Sequence, residues 1–489
     1  MPERAPELDP SLEVNPALAA RIGRPRTVLD LGCGAGLNGM LARSAGARVT
    51  GVEANAALAE RARHVLDEVI ELDFADFEAL GRALGDRRFD LLLLPTALER
   101  VTNPAALLRE ASKYVASEGR LLCALRNPLA WTRRLGLPDA RFGFGAMAGP
   151  AAELHEIDEA RSWAAAAELE LLEVGFTPLL ARALRPLLPE DLYTTLSRDE
   201  ERASGFRDWS IYDAYRHSVL PVETKAAALS PSLFAYQYVL VLRKPIERRA
   251  LSLTVGMLTM DEEPSIAKMI VEIRRFAPDA RILCVDSSVK DRTPIIAEEL
   301  GARVLRQLPP RGHGPAMELL MYEAANESDA LVYLDCDFTY PAENIPKLRR
   351  ILEGGADVVN AARTRTRPEA MPLANYLANK TFVWCARALD GVPISDLHSG
   401  MRAYRSSVIR SFAFDGSGDA LPIDTLLWPA RSGYRVVEIP IEYQERVGAS
   451  KLRKLAGTAW TFVRLARTLN VGQRANGSYE RWGSGPGES

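Results

Sequence analysis

The stretch ALVYLDCDFTYP, Ala330–Pro341, decides how this chain is read. An apolar run leads straight into two carboxylates, Asp335 and Asp337, separated by one residue. In an extended backbone residues i and i+2 point to the same side. Both acids can therefore face one hard cation just past the strand end, where ligands gather in open α/β sheets. Mg²⁺ or Mn²⁺ on one or two carboxylates completes its shell with phosphate oxygens. That arrangement neutralises a nucleoside-diphosphate leaving group. Alone, the motif fits two solvated strand-end acids equally well; its neighbours separate the readings.

Around it lie apolar strands at Leu251–Leu258, Arg281–Asp286, Ala302–Arg306, Ala330–Asp335, Asp357–Asn360 and Tyr434–Tyr443, with helical stretches between. An earlier unit repeats the alternation with Thr27–Leu31, Arg48–Glu53, Phe89–Leu94, Arg120–Leu125 and Tyr236–Arg243. This pattern predicts two tandem Rossmann-like α/β domains with mostly parallel sheets. The expected boundaries are a disordered segment 1–24, a first domain 25–245, a polar linker 246–250 and a second domain 251–451. A basic amphipathic helix 452–470 and a disordered Gly/Ser-rich tail 471–489 follow. Residues 130–230 read only as mixed helix and loop.

Composition agrees with two cores. The 489 residues are 47% hydrophobic and 26% charged, with a formal net charge of −3, which offers nucleic acid no general attraction. The five cysteines are scattered without a C-x-x-C pair, which fits a reduced cytoplasmic setting better than disulfides or a zinc site. The acidic, proline-broken start does not read as a secretion signal. No apolar run approaches the roughly 18 residues that span a bilayer.

In the second unit, Asp261-Glu262-Glu263 follows the first strand and Asp286 ends the second, where acids can accept hydrogen bonds from a base edge or ribose. Arg311 opens the loop RGHGP before a helix, a flexible cationic element suited to a diphosphate. Near the end, Arg446, Ser450 and Lys451 surround Gly448 and offer a guanidinium, a hydroxyl and an ammonium for a phosphate. The segments YLDCDFTYPAENIPKLRRILEGGADVVNAARTR, AMPLANYLANK, ISDLHSGMRAYR and VVEIPIEYQERVGASKL together resemble family 2 glycosyltransferases of the GT-A fold, of the polyprenyl-phosphate (dolichol-phosphate type) mannose or glucose synthases. The resemblance covers about residues 251–452. It implies that Asp335 and Asp337 bind the metal and that Glu262 and Asp286 contact the nucleotide. It further implies that Arg363, Arg446, Ser450 and Lys451 gather the acceptor and diphosphate phosphates, that Asp396 faces the sugar and that Arg402 lies among the substrate contacts. Two departures are Ser287, where a second aspartate is usual, and His313, where Lys or Tyr is frequent. His398 reads as a packing residue rather than a base.

In the first unit, VLDLGCGAG (Val28–Gly36) ends a strand with Gly32, Gly34 and Gly36, which allow a tight turn close to a ligand. A dinucleotide fingerprint would place glycine where Leu37 stands. Glu53 ends the next strand and suits ribose hydroxyls, and Asp73 could border an adenine. With VTGVEAN and the run from Phe89 to Asn127, these residues resemble class I S-adenosylmethionine-dependent methyltransferases over about residues 25–245. By that resemblance Asp30, Gly32, Gly34, Gly36, Glu53 and Asp73 contact S-adenosylmethionine. The Glu-His pair of the small-molecule subgroup is here Glu99-Arg100, so methyl transfer would rest on positioning alone. An inactive, scaffolding version of the domain stays open.

The helix 452–470 carries Leu452, Leu455, Ala459, Phe462, Val463, Ala466 and Leu469 on one face, and Arg453, Arg464 and Arg467 on the other. It can lie in a membrane interface or dock on the enzyme's own core. The combined expectation is a nucleotide-sugar-dependent hexosyltransferase joined to a methyltransferase, cytoplasmic or peripheral on the inner membrane face. Its acceptor is a polyprenyl phosphate or, alternatively, a soluble glycan or metabolite. The oligomeric state is not legible.

Overall fold

The computed structural model describes residues 16–127, 156–178, 230, 235–363, 368, 371–390, 392–418, 420–444, 460–465, 473–474 and 479–481. The chain forms two compact units, one of Met1–Pro245 with Asn470–Asn476 and one of Ile246–Leu469 with Gly477–Ser489.

The first unit is one mixed sheet of β1 (Thr27–Leu31), β2 (Arg48–Glu53), β3 (Glu68–Glu71), β4 (Phe89–Leu94), β5 (Val115–Arg126), β6 (Glu170–Pro178) and β7 (Ala235–Arg243). Their spatial order is β6-β7-β5-β4-β1-β2-β3. Strands β3, β2, β1, β4 and β5 run parallel, whereas β7 is antiparallel to both β5 and β6. Leu91–Leu94 is a continuous apolar run because helices cover a parallel sheet on both faces, and all four leucines are fully buried. The order reverses between β1 and β4, which opens a crevice at their carboxyl ends.

The second unit contains β8 (Leu253–Thr259), β9 (Arg281–Asp286), β10 (Arg303–Arg306), β11 (Ala330–Leu334), β12 (Val358–Ala362), β13 (Met401–Arg405) and β14 (Val436–Pro440). The order is β10-β9-β8-β11-β13-β12-β14, with the reversal between β8 and β11. Strand β13 is antiparallel to both neighbours, and Leu334 sits opposite Met401. The residues just before β13 therefore arrive at the edge where β11 and β12 end. That antiparallel strand, absent from the sequence reading, brings Asp396–Gly400 to Asp335.

Two expected disordered ends are structured where described. Pro16–Ala19 is helical, and Leu18 and Ile22 are buried, with Arg21 paired to Glu173 on β6. In the tail, β15 (Gln473–Arg474) pairs with β6, and β16 (Tyr479–Arg481) pairs with β14. Strand addition uses backbone groups, so a Gly/Ser-rich composition does not prevent it.

Candidate active site

Strand β11 ends at Leu334, one residue earlier than the sequence suggests, so Asp335 and Asp337 belong to the turn that follows. Phe338 takes a φ of 65°, which bends this turn back over the sheet edge. Thr339 donates through its backbone N–H (3.1 Å) and its hydroxyl to Asp337 Oδ1, fixing that carboxylate. Asp335 is held through its own N–H, which donates to the Gly400 carbonyl at 3.1 Å. A Cβ at position 400 would collide with the Asp335 carboxylate and the Tyr340 ring, so only glycine lets the two loops meet. The Gly400 N–H in turn donates to the Tyr340 hydroxyl at 2.6 Å. Among the described residues no cluster of three or more metal-ligating side chains exists. Two oriented carboxylates with no third fit a divalent ion that takes its other ligands from phosphate and water.

Beside them, Arg363 and Asp396 form a buried fork. Arg363 donates to Asp396 from its backbone N–H (2.9 Å), Nε (2.8 Å) and Nη2 (2.9 Å). Asn379 Nδ2 adds a bond of 2.9 Å. Burial by itself would raise the Asp396 pKa, but the Arg363 charge and these bonds hold it below the usual carboxylate range. The guanidinium lies 5.8 Å from the Tyr340 ring centre and 5.3 Å from that of Tyr443. The ion pair is thus flanked by two aromatic rings, one of which, Tyr340, is tied through its hydroxyl to Gly400 beside Asp335.

Next along the edge, the loops after β8 and β9 are knitted together. Asp261 Oδ1 accepts from the N–H groups of Val289 (3.2 Å) and Lys290 (3.1 Å), and the Glu262 N–H donates to Thr293 Oγ1 at 2.8 Å. Asp286 is fully buried and bonded to Thr259, Ser288 and Arg306. Arg311 is exposed before the helix His313–Glu327.

The first unit's turn shows a different chemistry. Gly32, Gly34 and Gly36 have φ of 73°, 57° and 84°, a backbone path that only glycine follows without strain. Glu53 accepts from the N–H groups of Gly34 (2.9 Å) and Asn55 (2.9 Å), tying β2 to the turn. Asp30 is completely buried, and neither carboxylate oxygen has a partner at full hydrogen-bond geometry, the Gly39 amide being its near neighbour. Desolvation pushes its pKa up to about 7, with the Gly39 amide opposing and the Glu53 charge reinforcing. An orphaned buried acid beneath a glycine turn fits a cationic or hydrogen-bonding ligand above it. Asp73 is exposed and caps its own turn through Ala75, while Phe74 packs on Gly32. At the ends of β4 and β5, Glu99 is buried against Arg126, which donates from Nε at 2.8 Å. Sequence reading passed over Arg126; the polar pair Arg-Asn closing an apolar strand was its only signal.

Comparison with known proteins supports both units. Residues 8–174 match the methyltransferase domain family, and residues 254–412 match glycosyl transferase family 2. A dolichyl-phosphate hexose transferase of Haloferax volcanii is 38% identical over 208 residues, covering 42% of this chain and 89% of the relative. The chain belongs to glycosyl transferase family 2. In it, a methyltransferase domain is fused ahead of the transferase domain. A polyprenol monophosphomannose synthase of Mycolicibacterium smegmatis is 29% identical over 208 residues, covering 40% of this chain and 78% of the relative. Glucosyl-3-phosphoglycerate synthase from Mycobacterium tuberculosis, solved with Mn²⁺ and UDP, is 21% identical at a TM-score of 0.37, covering 45% of this chain and 81% of its own.

Within this family 2 domain several expected residues fall elsewhere. Arg402 is fully buried and donates to Asn360 Oδ1 (2.7 Å), the Leu397 carbonyl (2.7 Å) and the Pro422 carbonyl. Its guanidinium is engaged inside the fold rather than offered to a substrate. Arg446, Ser450 and Lys451 lie outside the described residues. The basic helix is described only over 460–465, and there its faces are reversed from the expectation. Arg464 is fully buried, paired with Asp424 and donating to the Asp415 (3.1 Å) and Ser417 (2.9 Å) carbonyls, whereas Phe462 and Val463 are exposed. A buried acid 40 residues away outweighs local periodicity. Thr461 meets His398 Nε2 at 3.1 Å, and desolvation lowers the His398 pKa to about 4.

Proposed function

We propose that the transferase domain moves a hexosyl group from a nucleotide-sugar to a polyprenyl phosphate, and that the methyltransferase domain uses S-adenosylmethionine. The observation that carries the first reading is the Arg363–Asp396 fork set beside the oriented pair Asp335 and Asp337. Asp335 and Asp337 would hold Mg²⁺ or Mn²⁺, which when bound offsets the charge of the departing diphosphate. Arg363 is held between two tyrosine rings and by Asp396, which balances its charge, and in this reading it would orient hydrogen-bond donors rather than net charge toward phosphate oxygens. Arg446, Ser450 and Lys451 are the further phosphate contacts in this reading, and Glu262, Asp286 and Arg311 line its nucleotide side. A phosphate monoester is ionised near neutral pH and attacks without a general base. In support, His398 beside Asp396, with a pKa lowered to about 4 by burial, is a weak base bonded into the fold. The relatives' names include dolichyl-phosphate, polyprenol and undecaprenyl-phosphate transferases.

A lipid acceptor also explains the helix Leu373–Asp390. Its inner face supplies Asn379 to Asp396, while Leu373, Leu377 and Trp384 on its outer face are 53%, 54% and 67% exposed. With Thr381 and Ala388 these positions form one stripe at helical spacing. Phe462, 50% exposed, packs by a ring contact of 5.2 Å on Phe382, which is buried on the inner face of the same helix. Lys380 and Arg387 on the same helix complement anionic headgroups, so we assign the stripe to a bilayer that presents the lipid phosphate. No described helix is long and apolar enough to cross a membrane.

The test is transfer of labelled hexose by the full chain with Mg²⁺ or Mn²⁺, across a panel of nucleotide-sugars and undecaprenyl phosphate. Label in the organic phase supports the reading. Label confined to water-soluble product, unaffected by the lipid, favours a soluble acceptor. Calorimetric titration with S-adenosylmethionine tests the first domain, and absence of binding would make it a scaffold.

A further inference from the structure

We propose that Thr461 and Arg464 are positioning residues of the transferase, which clasp the Arg311 loop and the Arg363–Asp396 fork to one turn of helix. The inference rests on the transferase reading above and adds residues that act on the reaction through others.

Within the helical stretch 460–465, Thr461 and Arg464 lie three residues apart and so share a face. They are 1% and 0% exposed, whereas Phe462 and Val463 between them are exposed. The buried face thus carries a hydroxyl and a guanidinium where packing alone would place apolar side chains. A charge so deep is retained only against partners, and its partners show what it holds.

Arg464 is the first arm. Its Nη1 pairs with buried Asp424, and its Nη2 donates to the carbonyls of Asp415 (3.1 Å) and Ser417 (2.9 Å). These bonds fix one side of the turn 415–418, where Trp460 also lies against Gly418, whose φ is 72°. On the other side the Gly416 N–H donates to Glu318 Oε2 at 2.9 Å. The carbonyls of Gly416 and Gly418 press on Gly314 so closely that a Cβ there would collide with both. Gly314 and Glu318 belong to the first turns of the helix His313–Glu327, directly after Arg311 and Gly312. The start of that helix, and with it the place of Arg311, is therefore set from Arg464 through the turn 415–418.

Thr461 is the second arm. Asn379 Oδ1 accepts from the Leu397 N–H at 3.3 Å, and Asn379 Nδ2 donates to Asp396 at 2.9 Å. A backbone N–H can only donate, so chemistry sets this amide's orientation. His398 Nδ1, 3.4 Å from the same Oδ1, must then carry the ring proton. Burial keeps the imidazole neutral near neutral pH, which leaves Nε2 to accept from the Thr461 hydroxyl at 3.1 Å. One direction of donation runs from Thr461 through His398 and Asn379 to Asp396, the acid that forks Arg363.

Two arms from one turn thus reach the two groups that the reading sets on its nucleotide and phosphate sides. Thr461 and Arg464 are themselves buried among protein partners, so their effect is on the spacing of Arg311 and Arg363. A misplacement of about 1 Å between reacting partners can cost about 10²-fold in rate.

The experiment is steady-state transfer by the full chain to undecaprenyl phosphate with Mn²⁺. UDP-glucose, UDP-galactose and GDP-mannose are the donors, and the one that the wild type uses best serves for the variants. Thr461→Val removes the hydroxyl at nearly constant shape and should lower kcat about three- to tenfold with the donor KM unchanged. Arg464→Lys keeps a charge beside Asp424 but loses the planar fork that spans both carbonyls, and should raise the donor KM about tenfold. Trp460→Leu loosens the same turn without touching the buried ion pair and should raise that KM about threefold. It keeps this arm testable should Arg464→Lys fail to fold. The deciding readout is a double-mutant cycle with Arg311→Ala, in which either change should add less than about twofold to KM. Full, multiplicative penalties in both backgrounds would mean a structural role alone and overturn the inference. So would a wild-type kcat for Thr461→Val, and either result leaves the transferase reading standing. No transfer by the wild type from any donor overturns both.

Discussion

Asp30 and Asp396 are both completely buried acids at the active edges of their sheets, and their surroundings are opposite. Asp396 meets a guanidinium, an amide and two backbone N–H groups, and it stays ionised far into acid. Asp30 meets only the Gly39 amide, short of full hydrogen-bond geometry, and burial pushes it up to about 7. Buried carboxylates are expensive unless paired, so each state carries information. The transferase edge is satisfied before a ligand arrives, with charge arranged to receive charge. The methyltransferase edge holds an unmet demand beneath a glycine turn.

The contrast breaks most completely at Asp335. Replacing it with Asn removes a formal charge from a pair that the Gly400 contact holds in place. Sugar transfer should fall by about 10³-fold or more, measured as product formed per minute with Mn²⁺. Asp30→Asn in the same assay should leave that rate unchanged. Near wild-type transfer by Asp335→Asn would end the metal-site reading.

Stability separates the two acids next. Asp396→Asn leaves the Arg363 guanidinium buried without its counter-charge, a change that costs about 3–5 kcal/mol in urea unfolding. Asp30→Asn replaces an orphaned carboxylate by a neutral amide of the same shape and should be neutral or stabilising near neutral pH. Comparable losses for the two variants would erase the distinction.

Their pH dependences should then run in opposite directions. The Asp396 pKa is depressed on folding, so its contribution is present above the ordinary value of 3.8 and lost as pH falls below it. The Asp30 pKa is raised, so folding is favoured at acid pH. That advantage declines as pH climbs from 3.8 through about 7 and is gone above it. The full swing is about 4 kcal/mol. The stability difference between wild type and Asp30→Asn should therefore change by that order between pH 4 and pH 7. A flat difference would show that Asp30 titrates normally.

How much of this was legible follows from the range of each interaction. Strands such as β1, β2, β4 and β9 matched their apolar runs because burial within a parallel sheet is written in consecutive residues. The two-carboxylate turn was visible too, since both acids sit in one short segment. Strand β13 was hidden because Arg402 and Arg405 are fully buried, so two charged residues among its five argued against a buried strand. Arg464 misled for the same reason, its partner Asp424 being remote in sequence. The Thr461–His398 contact joins residues 63 apart, which no local pattern encodes. Long-range polar pairing was the illegible part of both fold and site.

The smallest effect concerns the outer stripe, and it sharpens the difference between residues that hold the site and residues that deliver its substrate. Trp384 is two-thirds exposed, whereas Asn379 on the opposite face of the same helix is buried against Asp396. Trp384→Ser removes little packing and should shift unfolding by no more than about 0.5 kcal/mol. If the stripe seats on a bilayer, the same change should weaken flotation with anionic vesicles by about three- to tenfold, because an interfacial indole loses its apolar contact. The rate with a short-chain, water-soluble polyprenyl phosphate should stay unchanged, since no reacting group has moved. A variant that lost activity on the soluble acceptor, or floated as well as wild type, would place the stripe inside the enzyme's own packing and return the lipid contact to another surface.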